Sequence, residues 1–244
     1  MLLEMDLRGR TAIVTGASAG IGKALARAFV AAGANVALAA RNAPALHSLA
    51  HELGQQTLVA ATDVTQRDQM DALVDRTVER FGRLDVLVNN AGIGLRSSVA
   101  DLDPDEFQQL FQVNLMGPLY GMQAAIRTMR KTGGGTIVNI SSGTSRIVVP
   151  FLGGAYPALK RALEIMSDYA RVQLADEDIK VLVVLPYITA TNFADNALGR
   201  RSAGAANFEA ARRNLPPPHA AEFVAEKVLE GLRNDATEIS LVPA

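Results

Sequence analysis

Short apolar runs alternate with longer amphipathic ones from end to end of the chain, and this alternation constrains the fold more than any other feature. Strand-like runs fall at Thr11–Thr15, Asn35–Ala40, Thr57–Ala61, Val86–Asn90, Thr136–Ser141, Val181–Leu185 and Glu238–Val242. Helical patterns lie between them, near 20–32, 43–53, 66–81, 104–131, 157–175 and 219–233. Runs such as VALAA and VLVVL are apolar at every position, so a strand made of them must be covered on both faces. Strand–helix–strand repeats of this kind close through right-handed crossovers into a parallel, doubly wound sheet. Hydrophobic residues make up 49% of the chain but aromatics only 5%, so Ala, Val, Leu and Ile must fill the core. No linker, repeat or low-complexity tract divides the 244 residues, and one domain spanning 1–244 is expected. The stretch at about 190–217 is rich in Ala, Arg and Asn and weakly periodic, which predicts a lid or mobile loop.

Bulk properties exclude several function classes. A formal net charge of -1 gives no general field to attract nucleic acid or anionic lipid. Without cysteine there is no disulfide, thiol nucleophile or thiolate metal site. The opening MLLEMDLRGR is not a signal peptide, and no run approaches the ~18 apolar residues of a membrane span. A soluble cytoplasmic protein is expected, with neither nucleic acid nor membrane as partner. His47 and His51 are spaced i, i+4 but lie opposite the Leu46, Leu49, Leu53 stripe and lack a third ligand, so no metal site is predicted.

The first strand runs into TGASAGIG, residues 15–22, and then directly into a helix. A glycine-rich strand-to-helix turn lets backbone approach a pyrophosphate, and the helix N-terminus offers free N–H groups and a positive dipole end. The spacing Gly16, Gly20, Gly22 is not the G-x-G-x-x-G of the standard fingerprint, and a tight turn that merely packs well would look the same. The end of the second strand adds to the dinucleotide reading. An NAD-binding sheet usually places an acid there for the ribose 2′-hydroxyl, whereas this chain has Ala39-Ala40-Arg41-Asn42. A guanidinium is the natural bidentate partner of a phosphate monoester, so NADP(H) is preferred, with NAD(H) possible.

At 155–160 the chain reads AYPALK, with a tyrosine one helical turn before a lysine. Together with TGASAGIG, NNAG at 89–92 and the asparagine of FQVNLMG, this Tyr156-x-x-x-Lys160 pair makes the chain resemble the short-chain dehydrogenase/reductase family. The resemblance runs from about residue 7 to the C-terminus. It implies an α/β, Rossmann-type doubly wound sheet of about seven parallel strands with helices on both faces. It also implies site roles. Gly16, Ser18, Gly20, Ile21 and Gly22 would cradle the phosphates and adjoining ribose. Asp63 would accept from the adenine amino group, with Val64 beside it. Asn90, Ala91 and Gly92 would support the sheet and touch the ribose. Asn114 would hold a water leading from Lys160 to solvent. Ser142 would steady the substrate oxygen, with Ser141 the alternative, and Tyr156 would donate or accept the proton. Pro186 counts among the cofactor contacts, and Thr191 would meet the nicotinamide carboxamide or the phosphates. Paired helices of adjacent subunits are common in the family, and a homodimer or homotetramer is implied.

Each role has a plainer counterpart. Asp63 could cap the next helix, and Asn90 could form a turn. Asn114 sits mid-helix among apolar neighbours, where a polar side chain is unfavourable unless satisfied. The chemistry explains the lysine: a free phenol titrates near pH 10, and a cation within ~4–6 Å lowers that by roughly 1–3 units. Two places depart from the family pattern. Tyr156 follows Ser142 by fourteen residues, one more than usual, with the extra residue expected in PFLGGAY. Tyr187 stands where the family has glycine after Pro186, either narrowing the nicotinamide pocket or turned toward the lid. Val148, Val149, Phe151 and Leu152 suggest an apolar wall and a neutral, hydrophobic carbonyl or alcohol. Arg200-Arg201 and Arg212-Arg213 could draw an acidic substrate or simply face water. The favoured activity is NADP(H)-dependent interconversion of carbonyl and secondary alcohol. An epimerase or dehydratase on the same fold, and a non-catalytic dinucleotide-responsive binding protein, are the alternatives.

Overall fold

The computed structural model describes residues 6–148, 153–194, 196–199 and 216–243. Seven strands form one parallel sheet in the order β3-β2-β1-β4-β5-β6-β7. They are β1 Thr11–Thr15, β2 Asn35–Ala40, β3 Thr57–Ala61, β4 Val86–Asn89, β5 Gly135–Ile140, β6 Ile179–Leu185 and β7 Glu238–Ser240. The helices are α1 Gly20–Ala31, α2 Ala43–Leu53, α3 Arg67–Phe81, α4 Pro104–Phe111, α5 Gly117–Thr132, α6 Ala155–Gln173 and α7 Ala221–Arg233. This is a Rossmann-type α/β fold.

The continuous apolar strands are explained by cover on both faces. Ala12, Val14, Val86, Val88, Val138 and Val184 point into one core with Phe29 of α1, Leu46 of α2 and Val228 of α7. Their sequence neighbours Ile13, Leu87 and Ile137 point into the other, together with Val181 of β6, Leu73 of α3 and Met122 and Met129 of α5. Side chains alternate faces along a strand, so every residue of β1 and β4 ends up buried.

The helix predicted over 104–131 is interrupted. α4 and α5 flank a π turn at Gln112–Met116. Pro118 has no N–H to give the carbonyl of Asn114, so the α-helical ladder cannot run through this point. Such turns recur at functional sites, and this one carries Asn114, which is fully buried.

Candidate active site

The chain reverses its direction of winding between β1 and β4, the switch point beyond whose strand C-termini sheets of this kind bind their ligands in a crevice. The sequence-predicted residues converge on that edge. The glycine turn follows β1, Arg41 follows β2, Asp63 follows β3, Asn90–Gly92 follow β4, Ser142 follows β5 and Pro186 follows β6.

The turn after β1 fits a pyrophosphate. Gly16 (φ +67°) and Gly20 (φ +51°) lie in the left-handed region, which a side chain would strain. A Cβ on Gly22 would collide with the Gly16 carbonyl and stand 2.5 Å from the Asn90 amide. The first turn of α1, which includes Ile21, has neither a side-chain cap nor an acid, so its N–H groups and dipole end are left for an anion. Ser18 and Ile21 lie on the same turn, half-buried. Asn90 fixes the turn from below, donating from Nδ2 to the Thr15 carbonyl at 2.8 Å. The amides of Asn90 and Ala91 both donate to Thr15 Oγ1, at 3.0 Å each. Thr191 closes the turn from above: its Cγ2 stands 3.0 Å from where a Gly20 Cβ would be.

Toward the adenine end, Asp63 Oδ1 accepts from the Thr65 amide at 3.0 Å and its hydroxyl at 2.9 Å, tying the turn that leads into α3. Val64 packs on Gly117, where a Cβ would stand 3.0 Å from Val64 Cγ2. Arg41 is exposed and makes no side-chain hydrogen bond or ion pair among the described residues.

At the other end of the crevice α6 carries Tyr156 and Lys160 one turn apart, and Pro157 occupies the first turn, where no N–H is needed. Lys160 is buried, 4% exposed, and Nζ donates to the Ile140 carbonyl at 2.8 Å. A Cβ on Gly92 would stand 2.8 Å from Asn114 Oδ1 and 3.7 Å from Lys160 Nζ, so the loop after β4 touches both. Asn114 is satisfied through Ile93: Oδ1 accepts from its amide at 3.2 Å and Nδ2 donates to its carbonyl at 2.9 Å. Ser142 faces the Tyr156 phenol and shares a 2.9 Å hydrogen bond with Thr144 Oγ1. Ser141 turns the other way, buried against Glu164 at 2.5 Å. The Gly143 amide donates to the Pro186 carbonyl at 2.8 Å, joining the ends of β5 and β6.

Residues 10–201 match the family model of the short chain dehydrogenases. An uncharacterized oxidoreductase of Staphylococcus aureus (strain MW2) is 33% identical over 238 residues, 97% of this chain and 98% of that one. The chain belongs to the short-chain dehydrogenase/reductase family. It is an oxidoreductase of that family. Among solved structures, a short chain dehydrogenase/reductase from Burkholderia phymatum in complex with NAD superposes with a TM-score of 0.89 at 26% identity, covering 97% of this chain and 90% of that one. An alcohol dehydrogenase from Thermococcus sibiricus complexed with 5-hydroxy-NADP gives 0.81 at 28% identity, covering 95% of each.

Within this short-chain dehydrogenase one expectation is modified and one of two alternatives is selected. The lysine was expected to lower the Tyr156 phenol; instead burial pushes it up to about 12, with the Ser142 hydroxyl acting the other way. Lys160 Nζ stands 5.8 Å from the ring centroid, and burial brings its own pKa down to about 8. Tyr187 is turned toward Pro216 and His219, its hydroxyl 3.4 Å from the Pro216 carbonyl and its ring edge-on to His219 at 5.7 Å. Its φ is not in the left-handed region, so glycine is not required there. Gly153 approaches the Ser97 carbonyl too closely for any Cβ, while the rest of the expected bulge, with Val149, Phe151 and Leu152, lies outside the described residues. So do Arg200, Arg201, Arg212, Arg213 and most of the expected lid. His47 and His51 are exposed, and no metal-binding cluster occurs among the described residues. No helix among them is long and apolar enough to cross a membrane.

Two residues escaped the sequence reading. Phe193 packs on Tyr156, ring centroids 5.7 Å apart, and nothing in TATNFAD marks it. Glu164 lies buried one turn beyond Lys160, and that i+4 spacing was a signal in plain view.

Proposed function

We propose that this short-chain oxidoreductase transfers a hydride between NADP(H), taken in preference to NAD(H), and an apolar carbonyl compound or secondary alcohol. One observation carries the reading. The Tyr156 phenol, the Ser142 hydroxyl and the buried Lys160 amine meet beside the same crevice edge that holds the Gly16–Gly22 turn. The dinucleotide, when bound, supplies or accepts the hydride. The protein's part is orientation and proton movement. Ser142 and Tyr156 address one substrate oxygen, fixing its face and polarising it. A phenol pushed up to about 12 remains protonated at neutral pH and gives its proton to an alkoxide, which is more basic still. Lys160, held on the Ile140 carbonyl, stands behind it as the nearest charged donor. Asn114 borders the same space and orders the route by which that proton is replaced from solvent.

The cofactor preference rests on Arg41, an unpaired guanidinium at the end of β2 among the described residues, with no acid from Ala39 to Asn42. The substrate class rests on the apolar cluster that Tyr156 packs against, Leu95, Leu110, Ala155 and Leu159, with Phe193 across the ring. A homodimer or homotetramer is supported by α6. Its Ile165, Tyr169 and Val172 are 46%, 68% and 79% exposed in one stripe beside a groove shared with Leu119 and Ile126 of α5.

The test is a panel of ketones and secondary alcohols followed at the nicotinamide absorbance. Turnover is expected, with Tyr156→Phe losing about 10²–10⁴ in kcat while still binding NADPH. Tight cofactor binding with no turnover of any substrate would sink the reading in favour of a binding protein. Isomerised or dehydrated product without net absorbance change would favour transient use of the cofactor.

A further inference from the structure

The Glu164 carboxylate is 1% exposed, in the middle of the buried stripe of α6 that also carries Lys160. A buried carboxylate is tolerated only when fully paired. It accepts from Ser141 Oγ at 2.5 Å, Arg146 Nε at 2.6 Å, Arg161 at 2.8 Å and Ser145 Oγ. Three of those four donors come from one stretch, Ser141–Arg146, the turn that leaves β5 and carries Ser142. Ser141 also lies 3.3 Å from the Lys160 carbonyl, and Ser145 lies 2.6 Å from the Ser142 carbonyl. Each hydroxyl has a single proton, and a charged acceptor at short range takes it. Both serines therefore point at the carboxylate, and Ser142 between them faces the opposite way, toward Tyr156.

We propose that Glu164 is a positioning residue, whose carboxylate clamps the Ser141–Arg146 turn onto α6 and so holds Ser142 in register with Tyr156 and Lys160. This rests on the roles given above to Ser142, Tyr156 and Lys160. The same charge favours the protonated form of Lys160 against the effect of burial. The charged groups facing Glu164 are Lys160 and Arg161 on its own helix and Arg146 from the turn, and Arg146 also pairs with Glu238 of β7 at 2.8 Å.

The experiment compares unmodified enzyme, Glu164→Gln, Glu164→Asp and Tyr156→Phe with NADPH and one ketone that the unmodified enzyme reduces. Glu164→Gln is expected to lower kcat about 10–100-fold, the scale of a ~1 Å misplacement of a reacting group, with NADPH affinity within about twofold. Its alkaline limb of kcat moves to lower pH, because Lys160 loses the charge that favours its proton. Glu164→Asp keeps the charge but falls short by one methylene, so it returns the pH limb and not the full kcat. A kcat within about twofold of normal in Glu164→Gln overturns the clamp, as does a lowered Tm with kcat per folded molecule unchanged. If Glu164→Gln does not fold, Arg146→Met loosens the same tether from an exposed position. A severalfold lower kcat at unchanged NADPH affinity supports the clamp, and an unchanged kcat refutes it. Turnover surviving in Tyr156→Phe overturns the assigned reaction centre and the clamp together, whereas loss there with full activity in Glu164→Gln removes the clamp alone.

Discussion

The two ends of the crevice are held by different physics. Around Gly16–Gly22 atoms are placed by backbone: left-handed glycines, bare N–H groups, and a threonine and an asparagine that bond to main chain. Around Tyr156 they are placed by side chains, with the buried Lys160 on a carbonyl and a buried carboxylate holding the adjoining turn. The first end has no room, so it is vulnerable to added atoms. The second depends on matched polar groups, so it is vulnerable to removed ones. Packing defects and unpaired charges therefore separate the two regions experimentally.

The largest effect on cofactor affinity is expected from an added atom at Gly22. Gly22→Ala sets a methyl against the Gly16 carbonyl and the Asn90 amide. Backbone cannot move aside as a flexible side chain does, and overpacking of this kind costs about 1–3 kcal/mol. If the turn shifts to make room, the loss appears as roughly a hundredfold in NADPH affinity, equivalent to about 3 kcal/mol. Calorimetric titration together with a melting curve reads both. Normal affinity and an unchanged Tm would mean that the turn is not the tight cradle described.

Next comes a removed charge. Lys160→Met is expected to lower kcat by about 10²–10⁴ without harming the fold at neutral pH. Burial holds the Lys160 pKa at about 8, below its ordinary 10.5, against the pull of Glu164. Between those values the unfolded chain keeps a proton that the folded chain has released, so this group adds stability as the pH rises through the window. Urea midpoints measured from pH 8 to pH 10.5 should rise less steeply in Lys160→Met. An identical slope in both proteins would show that the amine is not the titrating group.

This contrast also decides what could be read from sequence. Backbone-made features announce themselves in residue type. Glycine at 16, 20 and 22 and the uniform apolarity of VLVVL leave few conformational options, and the strands fall within a few residues of expectation. The π turn at Asn114 was missed although Pro118 was visible, because one absent N–H has a local effect that apolar periodicity does not register. Side-chain networks announce themselves poorly. Ser141 and Ser142 are identical in type, and only the position of Glu164, across a gap of more than twenty residues, decides which faces Tyr156. The direction of the Tyr156 shift is illegible in the sequence for a related reason. Spacing brings a lysine near a phenol, but spacing says nothing of how deeply the pair is buried, and burial wins here.

A smaller effect is expected at Arg41, which belongs to the backbone-made end but acts by charge. A hydrogen bond to a charged group contributes about 1.5–3 kcal/mol, so Arg41→Ala should weaken NADPH binding roughly ten- to hundredfold and leave NADH binding unchanged. Raised salt should narrow the gap in the unmodified protein, since Arg41 is exposed and its field is screened. Equal affinities of the unmodified protein for NADPH and NADH would defeat the assignment.

The smallest effect tests where the boundary between the two regions lies. Tyr187 follows Pro186 at the end of β6 and carries its ring away from the crevice, onto His219. Its hydroxyl meets the Pro216 carbonyl at 3.4 Å, a long hydrogen bond to an exposed acceptor, and little is lost when such a bond is replaced by water. Tyr187→Phe should therefore change stability by no more than about 0.5 kcal/mol and leave kcat/KM within about twofold. Tyr187→Ala removes the ring as well, together with its edge-on contact, and frees the two chain segments that meet at His219, whose amide donates to the Ile188 carbonyl at 2.9 Å. That variant should raise KM for the carbonyl substrate more than it lowers kcat, because the ring steadies the two segments that meet at His219 and touches no reacting atom. If Tyr187→Phe instead lowered kcat by tenfold or more, the phenol would have to reach the reacting groups during turnover. The side-chain-made region would then extend across β6 to Pro216 and His219.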